Sequence, residues 1–93
     1  MEILVDWEKI NSEEEFYSVF LPQVKAPDWH GRNLDALNDS VVNGDINGIN
    51  PPYKIINLNV SKTPEQVANF QRKVIGIFND SAIEYIGSEI TIR

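Results

Sequence analysis

Apolar residues in this chain fall into two rhythms, short consecutive runs and longer stretches that repeat every three to four residues. Ile3-Leu4-Val5, followed by Asp6-Trp7, is a consecutive run and predicts an opening strand buried on both faces. Ser12-Glu13-Glu14-Glu15 has the form of a capping box, so a helix is expected from about Ser12 with Phe16, Val19 and Phe20 at helical spacing. Pro22 is expected to end or kink it, because an interior proline removes a backbone donor and crowds the preceding turn. Ala26 to Arg32 reads as a loop. Asn33 then caps a second helix whose apolar face is Leu34, Leu37 and Val41 and whose end falls near Asn43-Gly44.

Asp45 to Pro52, rich in Gly, Asn and Pro, predicts a surface loop, and Tyr53 to Leu58 predicts the second strand. Thr63-Pro64-Glu65 is a helix start with Thr63 as cap and Pro64 in the first turn. Val67, Phe70, Val74, Ile77, Phe78, Ser81, Ala82 and Tyr85 keep the helical period, which predicts one long helix to about Ile86 with Gly87 as terminator. The alternative is a break near Asn79 and a strand over Ile83–Ile86. Glu89-Ile90-Thr91-Ile92 closes the chain as a strand. The order β-α-α-β-α-β, with connections long enough for crossovers, predicts an α/β fold with a small parallel sheet flanked by helices.

At 93 residues the chain has room for one core, since a domain of this size buries roughly 60–65% of its unfolded surface; residues 1–93 are therefore expected to form a single domain. The absence of cysteine excludes a disulfide framework and thiolate zinc sites and favours a reducing, cytoplasmic setting. No membrane span or signal segment is expected. With 8 Lys+Arg against 14 Asp+Glu, the net charge of −6 disfavours nucleic acid and anionic membranes and favours a basic protein partner.

The acidic residues are not spread evenly. Asp35 and Asp39 stand four apart on the second predicted helix, hence on one face, with Asn38 and Val42 beside them and Leu34, Leu37 and Val41 turned away. From Asn33 through Tyr53 there is no Lys or Arg, while Asp35, Asp39 and Asp45 add three negative charges. A solvated helix face would also look like this, and Asp35 additionally complements the helix dipole. Trp29 and His30 precede this helix; Trp29 suits either an interface anchor or a lid over the core. His30, the single histidine, has no nucleophile pattern to serve. No phosphate-binding glycine motif, converging metal ligands or substrate cleft is visible, so neither catalysis nor a cofactor or metal is expected.

The string Ala26-Pro27-Asp28-Trp29-His30-Gly31-Arg32-Asn33-Leu34-Asp35-Ala36-Leu37-Asn38-Asp39 resembles the signature of the barstar family, intracellular inhibitors of secreted bacterial ribonucleases such as barnase. Gly31, Asn33, Leu34, Asp35, Ala36, Leu37 and Asp39 carry the match; Asn38, His30 and Arg32 depart from the family's tryptophan, second aromatic and acidic residue. The resemblance implies a three-stranded parallel sheet and an inhibitory surface made of the Asp35/Asp39 helix and Trp29, with Asp39 as principal anchor. The segment between Leu58 and Thr63 reads as too short for the extra short helix of the best-known member.

The combined expectation is a cytoplasmic, non-enzymatic inhibitor, an immunity protein or antitoxin, monomeric when free. It would occlude the basic active site of a secreted ribonuclease or toxin domain through Trp29, His30, Gly31, Asn33, Asp35, Asn38, Asp39, Val42 and Asp45. The alternative is an acidic regulatory module of the same fold that binds another basic protein.

Overall fold

The computed structural model describes residues 2–26, 30–41, 54–84 and 89–93. Their elements run β1 (Glu2–Asp6), α1 (Glu13–Gln23), α2 (Leu34–Val41), β2 (Lys54–Leu58), α3 (Ala68–Glu84) and β3 (Glu89–Ile92), with single 3-10 turns at Trp7–Lys9, Val60–Lys62 and Glu65–Val67. The strands form one parallel sheet in the order β1-β2-β3, with Ile3 beside Ile55 and Ile55 beside Ile90. This is the α/β arrangement expected from the order of the elements. The expected loop over Asp45–Pro52, the helix end at Asn43-Gly44, and Tyr53, Tyr85 and Gly87 lie outside the described residues.

One apolar cluster joins the sheet to the helices. Ile3, Val5 and Ile55 meet Phe16, Tyr17, Phe20 and Leu21 of α1, Leu37 of α2, and Phe70, Val74 and Phe78 of α3. At its centre Phe16 stacks on Trp7 (centroids 5.4 Å apart, planes 8° from parallel) and on Phe20, and meets Tyr17 and Phe70 edge-on. Burying aromatic rings of this size supplies much of the driving force available to so small a domain.

β1 is not buried on both faces. Leu4 is 50% exposed while Ile3 and Val5 are fully buried, because the described helices pack on the Ile3/Val5 side. Trp7 leaves the strand and starts a 3-10 turn, whose Glu8 N–H is taken by the Asp6 carboxylate.

In α1, Ser12 Oγ accepts from Glu15 N–H (3.1 Å) and Glu15 Oε1 accepts from Asn11 N–H (3.1 Å), the reciprocal exchange of a capping box displaced by one residue. Its buried stripe is Phe16, Tyr17, Phe20 and Leu21; Val19, expected to face inward, is exposed because the stripe is rotated toward Tyr17 and Leu21. The helix ends one residue after Pro22. Ala26 N–H donates to Leu21 O and Lys25 N–H to Pro22 O, a Schellman closure with Lys25 at φ 53° in the left-handed position usually given to glycine.

The third helix starts differently from expectation. Thr63 does not cap it: its hydroxyl donates to Val60 O at 2.6 Å and closes the Val60–Lys62 turn, which occupies the segment that reads as too short for a helix. Pro64 sits one position earlier than expected, at the cap of the Glu65–Val67 turn that runs into α3. The helix continues without a break through Asn79 to Glu84, so Ile83 and Glu84 are helical and do not open the alternative strand; Tyr85 and Ile86 lie outside the described residues.

The Tyr17 hydroxyl is buried, and it has no hydrogen-bond partner among the described residues. Burial, with the nearby Glu13 and Glu14 carboxylates adding to it, pushes its pKa up from 10 to about 12.

Candidate functional site

α2 is anchored at both its start and its inner face. Asn33 Oδ1 accepts from Ala36 N–H at 2.8 Å and Asn33 O accepts from Leu37 N–H at 3.0 Å, the cap geometry predicted from the sequence. Leu37 is fully buried, and Leu34 packs against the same cluster. With that side fixed, the helical period turns Asp35 and Asp39 outward together, and both are exposed. Asn38 between them is half-buried.

The approach to the helix is close-packed. A methyl group on Gly31 would lie 2.9 Å from Asn33 Nδ2 and 3.1 Å from Ala36 Cβ, so the space beside the cap is available because residue 31 has no side chain. His30 Nδ1 lies 2.8 Å from Gly31 O. Arg32 turns back onto α1, where its Nη1 donates to Glu14 Oε1 (2.5 Å) and to Ser18 Oγ (3.1 Å). In the sequence Arg32 is the one Lys or Arg between Lys25 and Lys54. Its pairing with Glu14 therefore commits the one cation of this stretch to α1.

The structure thus brings Gly31, Asn33, Asp35, Asn38 and Asp39 onto one cap and helix, with His30 alongside. Trp29, Val42 and Asp45 lie outside the described residues. Sequence reasoning misses the tie between Arg32 and α1; its sole signal is that Arg32 is an isolated cation in an acidic stretch.

Among the described residues no three His, Cys, Asp or Glu side chains gather as metal ligands, and no helix is long and apolar enough to cross a membrane. An exposed carboxylate pair on a rigid helix can present negative charge to a cationic surface at fixed spacing. A comparison with curated proteins gave no match. The family model described as Barstar (barnase inhibitor) matches residues 1–93. The three-stranded parallel sheet and the order of its helices agree with that match, and the chain belongs to the Barstar family.

Proposed function

We propose that this chain inhibits a barnase-type ribonuclease by laying the exposed face of α2 over the enzyme's basic active site, with Asp35 and Asp39 in the place of substrate phosphates. The observation that carries this reading is the pair of outward carboxylates on a helix pinned by Asn33 and Leu37, in a chain of the Barstar family. His30, Gly31 and Asn38 stand beside that pair on the same cap and helix, and the reading assigns Trp29, Val42 and Asp45 to the same contact from the sequence alone. The inhibitor works by occlusion and performs no chemistry.

The same reading makes the chain an immunity protein or antitoxin, monomeric until it meets its nuclease and working in the reducing cytoplasm that its lack of cysteine suits. The net charge of −6 favours fast, steered encounter with a basic enzyme.

Titrating the chain into a barnase-type ribonuclease turning over RNA tests this. Turnover should fall to zero at one equivalent, and association should slow as salt rises toward ~0.15 M, where the Debye length is about 8 Å. Undiminished turnover at excess inhibitor contradicts the proposal. Capture of a different basic protein by the same face would favour the regulatory-module alternative.

A further inference from the structure

β1 is an outer strand of the sheet, so one of its edges has no strand beside it among the described residues. Along an extended strand, alternate residues aim both N–H and C=O toward the same edge. The middle residue of this outer edge is Leu4, and both its backbone groups are taken by one side chain. Leu4 N–H donates to Gln23 Oε1 at 2.9 Å, and Gln23 Nε2 donates to Leu4 O at 2.8 Å.

A residue of a neighbouring strand offers this same acceptor and donor pair. The Gln23 amide is itself held, because Nε2 also donates to Val19 O at 3.0 Å, one turn back in α1. Gln23 is the last residue of that helix, and the Schellman closure behind it fixes where the helix stops relative to the strand.

The surface around this edge is suited to unwanted pairing. Leu4 and Val19 are both exposed apolar side chains, and an open edge flanked by apolar surface readily templates another strand. The other two outward-aimed residues, Glu2 and Asp6, carry charge, and the strand stops at Asp6 in a 3-10 turn. Two copies paired antiparallel about Leu4 would set Glu2 of each against Asp6 of the other, which is unfavourable. The central position has no such charge, and that is where Gln23 sits.

We infer that the Gln23 amide stands in for a fourth strand and keeps the β1 edge from pairing with a second copy of this chain, while Glu2 and Asp6 add a repulsion that salt can screen. The pairing is a property of the sheet edge, involves no residue of α2, and does not depend on the proposed inhibition.

Gln23→Met keeps the stem of the side chain, and Gln23→Ala places the best helix former at the end of α1; each removes the amide. Sedimentation velocity over a range of concentrations, at low salt and at ~1 M salt where screening falls to about 3 Å, separates the two parts of the guard. The parent should keep one mass at both salt levels. Both variants should gain a concentration-dependent dimer, more of it at high salt. At low protein concentration the Leu4 amide should exchange with solvent about tenfold faster in the variants, the loss expected for a hydrogen bond of ordinary strength. Variants that keep the parent's mass at both salt levels would overturn the inference. So would a Leu4 amide that already exchanges in the parent as fast as that of Glu2, a measurement that stands even where a variant fails to fold.

Discussion

The Trp7 indole Nε1 donates a 2.9 Å hydrogen bond to Asn57 Oδ1, and the two residues, 50 apart in sequence, are both fully buried. Asn57 Nδ2 donates in turn to Thr91 O, and the Asn57 backbone carbonyl accepts from Arg93 N–H. One side chain in the middle strand thus ties the turn after β1 to β3. A buried asparagine is tolerated here because its amide is partnered on both sides.

Asn57→Leu should therefore cost about 2–3 kcal/mol in urea unfolding, because it orphans a buried indole N–H. Trp7→Phe should also destabilise, by loss of packing. Combined with Asn57→Leu, the double variant should be more stable than the sum of the two losses implies, since no donor is then left without an acceptor. Strict additivity would show that this bond contributes nothing to folding.

Gly31→Ala is expected to act through the helix cap. The added methyl would lie 2.9 Å from Asn33 Nδ2, so the Asn33 side chain must move and its bond to Ala36 N–H weakens. A loss of about 1 kcal/mol is expected, the usual worth of an N-cap. Asn33→Ala should cost a similar amount, and the two changes together little more than either. Independent, fully additive losses would place the cost elsewhere.

Tyr17 gives the fold a sensitivity to alkali. Its folded pKa of about 12 lies above the unfolded value of 10, so the contribution of the neutral phenol is fully present below pH 10 and is lost as pH rises toward 12. Stability should fall over that window with a slope of at most ~1.4 kcal/mol per pH unit from this group. Tyr17→Phe cannot ionise and should flatten the decline between pH 10 and 12, while changing stability little at pH 7 because the hydroxyl has no partner among the described residues. Equal declines in parent and variant would contradict the assignment.

Features set by near neighbours along the chain are legible in the sequence. Ser12 and Asn33 read as caps because a cap bonds residues two or three positions away, and the outward pairing of Asp35 with Asp39 follows from helical period once Leu37 is taken as buried. Features that depend on what arrives from elsewhere in the chain are not legible in this way. Leu4 reads as core in a run of three apolar residues, yet the helices cover the other face. Thr63 and Pro64 form a plausible helix start, but the turn closing on Val60 takes the Thr63 hydroxyl first. Gln23 pairing with Leu4, and Arg32 with Glu14, span 19 and 18 residues, and no local pattern announces either.

Removal of the Asp39 carboxylate should separate binding from folding. Asp39→Ala should leave the free energy of urea unfolding within about 0.5 kcal/mol of the parent's, because the residue is exposed and Ala favours the helix. Its inhibition constant against a barnase-type ribonuclease should rise by roughly a hundredfold or more, equivalent to ~3 kcal/mol, because the enzyme's cations would be left buried and unpaired. The barnase–barstar pair is itself the reference case for such losses, so the direction of the change and its independence from stability are what is predicted for this chain. The most direct measurement is a titration of the nuclease with parent and Asp39→Ala side by side, each checked for its unfolding midpoint. Stoichiometric inhibition by the parent and its loss in a fully folded variant is the predicted result; full inhibition by Asp39→Ala, or a loss that merely follows unfolding, contradicts the account.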